Sequence, residues 1–291
     1  MKKTKLIKFT MAVAAVFFIL DASAQIDTPA PSPAGSVSGK VGLTDIEVNY
    51  SRPQMKGRKI FGEGDDFLVP FGQMWRTGAN AGTKVKFSDD VKISGTDLAA
   101  GEYLLLTIPG KDSWAISFYK DLSLGGNVAA FDETKEAIRV NVKPSKLTET
   151  VKTLTFNISD ISANSENANI QLSWENTAVN IPVTVSFDER VMKAIADNTK
   201  VNPGNYITAA NYYFNTGKDL NQALNWVNMY LAEGENSKQF WHVHLKAQIL
   251  AKMGNTKEAK KTAEESMELA KNFPAGDFGY IKRNQDLIKS L

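Results

Sequence analysis

The strongest constraint on the fold is a change of hydrophobic period near residue 187. Before it, apolar residues recur at every second position. "AIRVNVK" sets Ile138, Val140 and Val142 against Arg139, Asn141 and Lys143, and "TLTFNIS" does the same with Leu154, Phe156 and Ile158. "IQLSWEN" alternates Ile170, Leu172 and Trp174 with polar residues, and "VNIPVTVSF" alternates Val179, Ile181, Val183, Val185 and Phe187. Strands with one buried and one wet face read this way, as in antiparallel sheets. "YLLLTI" and "WAISFY" alternate less strictly and suit central strands. Pro182 has no N–H to donate, which places it at an edge or a bulge. Turn signals at Asp89-Asp90, Ser94-Gly95, Pro109-Gly110 and Gly125-Gly126 divide the runs into eight or nine short strands. The expected architecture is an antiparallel β-sandwich or open barrel over residues 37–187.

From residue 188 to 291 the period is that of helices. "DERVMKAIADNT" opens with the acidic residues that suit a helix N-terminus. Two similar units follow, each a helix, a turn centred on Gly217 or Gly254, and a second helix leading to Ala223 or Ala259. The 36-residue spacing of those alanines resembles the tetratricopeptide repeat, whose period is about 34. "LAKMGNTKEA" carries the resemblance best. An ordinary antiparallel helical bundle is the alternative. Either form implies packing or a protein partner rather than chemistry.

The first 24 residues read as an export signal. "MKKTKLIKF" is basic, "TMAVAAVFFIL" is apolar, and "ASA" before Gln25 is a small-residue cleavage site. An apolar run this short falls below the roughly 20 residues that span a bilayer. The expected location is periplasmic or extracellular, with no transmembrane segment in the mature protein. Residues 25–36, "QIDTPAPSPAGS", read as a disordered tether. The leader holds four lysines and one aspartate, so its removal takes the net charge from +2 to −1. A near-neutral chain without a basic run is a poor partner for nucleic acid.

Residue usage excludes much chemistry. There is no cysteine, hence no thiolate nucleophile, thiolate metal site or disulfide, and each domain relies on its own core. The only histidines, His242 and His244, point about 200° apart on a helix, whereas metal-ligand pairs need a spacing of three or four. They are expected to pack against a neighbouring helix. No cofactor and no metal is expected. No G-x-S-x-G or phosphate-cradling glycine loop occurs. Carboxylate-based glycoside hydrolysis needs only two acidic groups, but no pair is nominated.

One cluster stands out. Arg52, Arg58 and Arg76 are three of six arginines in a chain with 28 lysines. A guanidinium fork meets carboxylates and phosphates bidentately, which an ammonium does not. With Trp75 and Asn80 they form the candidate site for a polar or anionic ligand, a glycan or an envelope component. The competing reading is that they pair with acidic residues of their own domain.

"YSRPQMKGRKIFG", "LVPFGQMWRTGAN", "AGEYLLLTIPGKDSWAISFYKD" and "LSWENTAVNIPV" resemble the family catalogued as domain of unknown function 2911, over roughly residues 37–185. The resemblance implies an exported protein with a β-rich domain, no established activity and often an appended helical repeat. That family tends to place Glu after "GAN", where this chain has Ala81. No catalytic role is carried over. The expected function is non-catalytic binding, by the β domain of a ligand and by the helical domain of a partner. The alternative is a histidine-independent hydrolase acting through carboxylates.

Overall fold

The computed structural model describes residues 28–199, 202 and 204–291. The expected leader, and the start of the tether, lie outside them. The chain forms two compact units that divide between Ser186 and Phe187.

The first unit is a β-sandwich. Its strands are β1 (Ala34–Val41), β2 (Thr44–Ser51), β3 (Lys59–Gly62), β4 (Phe67–Pro70), β5 (Thr83–Phe87) and β6 (Val91–Ile93). Then come β7 (Thr96–Leu98), β8 (Gly101–Ile108), β9 (Trp114–Tyr119), β10 (Glu136–Val142), β11 (Pro144–Ser159) and β12 (Asn167–Val185). One sheet has the order β1-β2-β5-β8-β9-β10 and the other β11-β12-β6-β7, both antiparallel. The short β3 and β4 pair in parallel beside them. The inner faces supply the core: Ile46, Val48, Val85, Phe87, Leu105 and Phe118 from one sheet, and Ile93, Phe156, Leu172, Trp174 and Ile181 from the other. Tyr50 crosses between them, its ring 4.8 Å from that of Phe156 and its hydroxyl 3.1 Å from the Phe156 amide.

Period two produces this arrangement directly, because alternate side chains leave opposite faces of a strand. β8 and β9 depart from strict alternation because both their faces are covered. Leu104, Leu106 and Tyr119 lie outside the sandwich, under Leu122, Leu124, Val128 and Phe131 of the segment that joins β9 to β10. Pro182 sits between the two ladders of β12, where pairing with β11 has ended at Val179 and pairing with β6 starts at Val183; its carbonyl accepts from the Ser94 amide at 2.9 Å, and it has no N–H to leave unpaired. The tether expected over 25–36 gives way to β1 at Ala34. Its alanine, glycine and serine carry no hydrophobic alternation, yet they pair from Ala34↔Ser51 onward as an edge strand.

The second unit contains helices α1 (Asp188–Asn198), α2 (Asn205–Thr216), α3 (Leu220–Leu231), α4 (Phe240–Lys252), α5 (Thr256–Lys271) and α6 (Tyr280–Ser290). None is long and apolar enough to cross a membrane. Pairs α2–α3 and α4–α5 are hairpins whose turns hold Gly217 (φ 69°) and Gly254 (φ 80°), a left-handed conformation that costs glycine nothing. Ala223 and Ala259 are fully buried early in the second helix of each hairpin, where a larger side chain would push the helices apart.

The two units carry separate cores, so residues 28–186 expressed alone should unfold cooperatively. A fragment that remains unfolded while the whole chain folds would contradict the division.

In the helical unit His244 is buried, and Asn284 accepts from its Nδ1 at 2.7 Å. Desolvation lowers the pKa of both His242 and His244, and the Arg283 charge adds to the effect at His244. An unfolded chain therefore binds more protons than the native one once pH falls below about 6.5. The histidine contribution is present above that pH and lost as pH falls through the depressed native values. Asp188, Glu268 and Asp286 also titrate low, held down first by hydrogen bonds from Tyr212, Lys271 and Lys282 respectively, so their loss comes later, below about pH 4. Urea unfolding followed by helical circular dichroism should show a falling midpoint between pH 7.5 and 5. A flat midpoint over that range would contradict it.

Candidate binding cleft of the β unit

Several segments meet at one place on the β unit. Phe61 comes from β3 and Phe71 from the residue after β4. Lys111 lies in the β8–β9 turn, and Trp114 opens β9. Pro144, Ser145 and Lys146 open β11, and Asn176 and Thr177 come from β12. Together with Gly110 they line a cleft of about 360 Å³.

Backbone bonds hold these segments together. The Phe71 amide donates to the Gly62 carbonyl at 2.8 Å, and the Gly72 amide to the Pro109 carbonyl at 2.8 Å. Gly110 is tightly enclosed: a Cβ there would lie 2.5 Å from the Ser113 carbonyl oxygen. Lys146 is opposite Thr177, but the next register pair is Val151↔Glu175. Five residues of β11 thus advance against two of β12, and Glu175 has φ 54°. Such a bulge bends the strand and ends regular pairing beside the cleft.

The floor is aromatic. The Phe61 ring lies 4.9 Å from Trp114, 5.6 Å from Trp75 and 6.0 Å from Trp174, edge-on in each case. Trp75 stacks on Trp174 at 5.9 Å with 19° between the planes. Phe61 (8% exposed) and Trp114 (1% exposed) are buried beneath the cleft, and the aromatic surface open to it is chiefly that of Phe71, which is half-buried. Trp174 Nε1 is buried in this cluster without a hydrogen-bond partner among the described residues. The rim is cationic: Lys111 and Lys146 are exposed, and neither has a carboxylate partner among the described residues. No Asp or Glu lines the cleft.

The residues nominated by the sequence fall elsewhere. Arg58 turns its fork onto its own loop, Nε donating to the Met55 carbonyl at 3.0 Å and Nη2 to the Gln54 carbonyl at 2.7 Å. Arg52 packs along Gly35, where an added Cβ would lie 2.6 Å from Cδ, and its Nε is buried without a partner. Arg76 is exposed and makes one long bond, 3.4 Å, to the Gly126 carbonyl. Asn80 (φ 56°) donates to Ser51 Oγ at 3.0 Å and so fastens its loop beside Arg52. Gly126 closes the other side, since a Cβ there would stand 2.3 Å from the Asn80 carbonyl oxygen. Arg52, Arg76 and Asn80 thereby share one loop cluster, and Arg58 is occupied by its own turn. Trp75 does not line the cleft but packs in the aromatic cluster beneath it, its Nε1 donating to the Gly78 carbonyl at 3.2 Å. No acidic side chain pairs with Arg52, Arg58 or Arg76 among the described residues.

The family described as Protein of unknown function (DUF2911) matches residues 32–183, just over half of the chain. The chain belongs to this family. The DUF2911 match spans almost all of the sandwich, including every residue that lines the cleft. No curated protein and no solved structure matches the chain.

Sequence reasoning passed over Phe71, Lys111, Trp114 and Lys146. Arginine is scarce in this chain and stands out, whereas one lysine among 28 does not. The only local signal was "PGKDSW", a turn that puts a lysine three residues before a tryptophan.

Proposed function

We propose that the protein is an exported, non-catalytic binding protein whose β unit holds a polar or anionic ligand in the cleft between Lys111 and Lys146. The helical unit engages a protein partner in this reading, as stacked helical hairpins do in repeat proteins. The observation that carries the proposal is a pair of unpaired lysines above an aromatic floor. Each ammonium can meet a carboxylate or sulfate without first breaking an ion pair of its own. Asn176, Thr177 and Ser145 add neutral hydrogen-bonding groups, and Phe71 offers an apolar face. Ligand sites combine apolar walls with a few polar groups in this way. An acidic oligosaccharide fits the set, with sugar faces on the aromatic side and carboxylates toward the lysines. The N-terminal leader supports a periplasmic or extracellular setting, where such ligands occur. With no carboxylate in the lining, the cleft lacks the groups that a two-carboxylate hydrolase needs.

Calorimetric titration with oligogalacturonate and with a neutral oligosaccharide of equal length tests the reading. The acidic probe should bind, and more weakly as salt rises from 50 to about 500 mM, because exposed charges are screened over roughly 10 Å at 0.1 M. Equal affinity for both probes, or none for either, would refute it.

A further inference from the structure

The helical unit holds a larger cavity that the DUF2911 match does not reach. Its volume is about 570 Å³, and its lining comes from α2, α4 and α6. Both histidines contribute to it, although they leave α4 in different directions. His242 packs edge-on against Tyr230 at 5.2 Å, and His244 against Tyr280 at 5.4 Å.

A buried polar chain fixes the state of His244. Asn284 Nδ2 donates to Ser266 Oγ at 2.9 Å and to the Tyr280 carbonyl at 2.8 Å, so Asn284 Oδ1 must be the acceptor. The proton therefore sits on His244 Nδ1. Ser266 Oγ completes the chain by donating to the Phe240 carbonyl at 2.8 Å. Burial keeps the ring neutral, which leaves Nε2 as a lone-pair acceptor. It has no protein partner among the described residues, although His244 is only 7% exposed and lines the cavity. Nε2 opens onto the cavity rather than being sealed in the core, so a group bound there can donate to it.

A second group in the wall is an exposed guanidinium. The Arg283 guanidinium lies 4.7 Å from the Tyr280 ring centroid and has no carboxylate partner among the described residues. The only carboxylate in the lining, Asp286, is already held by Lys282 at 2.8 Å, with Lys289 adding to its stabilisation. Trp241, Leu245 and Leu287 supply apolar surface.

We propose that this cavity is a second ligand site, taking a small carboxylate that carries a neighbouring N–H donor and an apolar side group, as an N-acylated amino acid does. The carboxylate meets the Arg283 fork, the N–H donates to His244 Nε2, and the side group rests on Trp241. The inference does not depend on the β-unit cleft, and the two can fail separately.

The test uses the full chain with N-acetyl-L-phenylalanine and its C-terminal amide as probes. Binding is read by tryptophan fluorescence and by ¹H–¹⁵N spectra of the histidine rings. The acid should bind saturably and shift the His244 Nε2 resonance, and the amide should bind at least tenfold more weakly. Arg283→Gln, an exposed change, should weaken the acid about tenfold and leave the melting temperature in place. Absence of saturable binding by the acid, equal binding of acid and amide, or full affinity in Arg283→Gln would each overturn the proposal.

Discussion

Trp174→Ala is expected to lower the stability of the β unit by about 3–5 kcal/mol, the usual cost of removing a large buried aromatic. Trp174 is 1% exposed and joins the floor of the cleft to the core through its stack on Trp75 and its edge contact with Phe61. For a unit of this size that loss corresponds to a melting temperature about 6–20 °C lower. Trp174→Phe should behave differently. It gives up part of the ring but also removes an N–H that is buried without a partner, a defect worth about 1–3 kcal/mol. The two terms oppose each other, and the net loss should stay below about 1.5 kcal/mol. Thermal unfolding of the pair separates packing from polarity. A phenylalanine variant as unstable as the alanine variant would mean that the indole N–H is satisfied after all, for instance by an ordered water.

The second large effect concerns binding. Reversing both rim charges, Lys111→Glu with Lys146→Glu, replaces two attractions for an anionic ligand by two repulsions. A hydrogen bond to a charged group contributes about 1.5–3 kcal/mol. Losing two therefore weakens binding by at least about 100-fold, at 1.4 kcal/mol per tenfold. Both side chains are exposed and unpaired, so stability should change by no more than about 0.5 kcal/mol. Oligogalacturonate titration and thermal unfolding of the same double variant check the two halves. Retained affinity would remove the lysines from the site.

Much of the sandwich was legible because burial on one face writes itself into alternate residues. Ile170, Leu172 and Trp174 are all buried, as their spacing requires. What the pattern hid was short or doubly covered. β6 and β7 have three residues each, too few to show a period. β1 is built from small edge residues without one. The cover over Leu104 and Leu106 is an irregular segment whose role depends on where β9 ends. The candidate cleft was less legible still. Phe61, Lys111, Lys146 and Thr177 are far apart along the chain, and only sheet order and the bulge at Glu175 bring them together. Scarcity of arginine singles out Arg52 and Arg76, which do share a loop cluster through Ser51 and Asn80. It could not show that Arg58 spends its fork on its own turn.

Ligand binding by the β unit between Lys111 and Lys146 can be located residue by residue. Backbone amide shifts of the labelled full chain, followed while oligogalacturonate is added, test this most directly. Saturable shifts are expected at residues 71–72, 110–114, 145–146 and 176–177, with little change around Arg76 and Asn80. Shifts confined to the loop that carries Arg76 and Asn80, with the cleft silent, would contradict it.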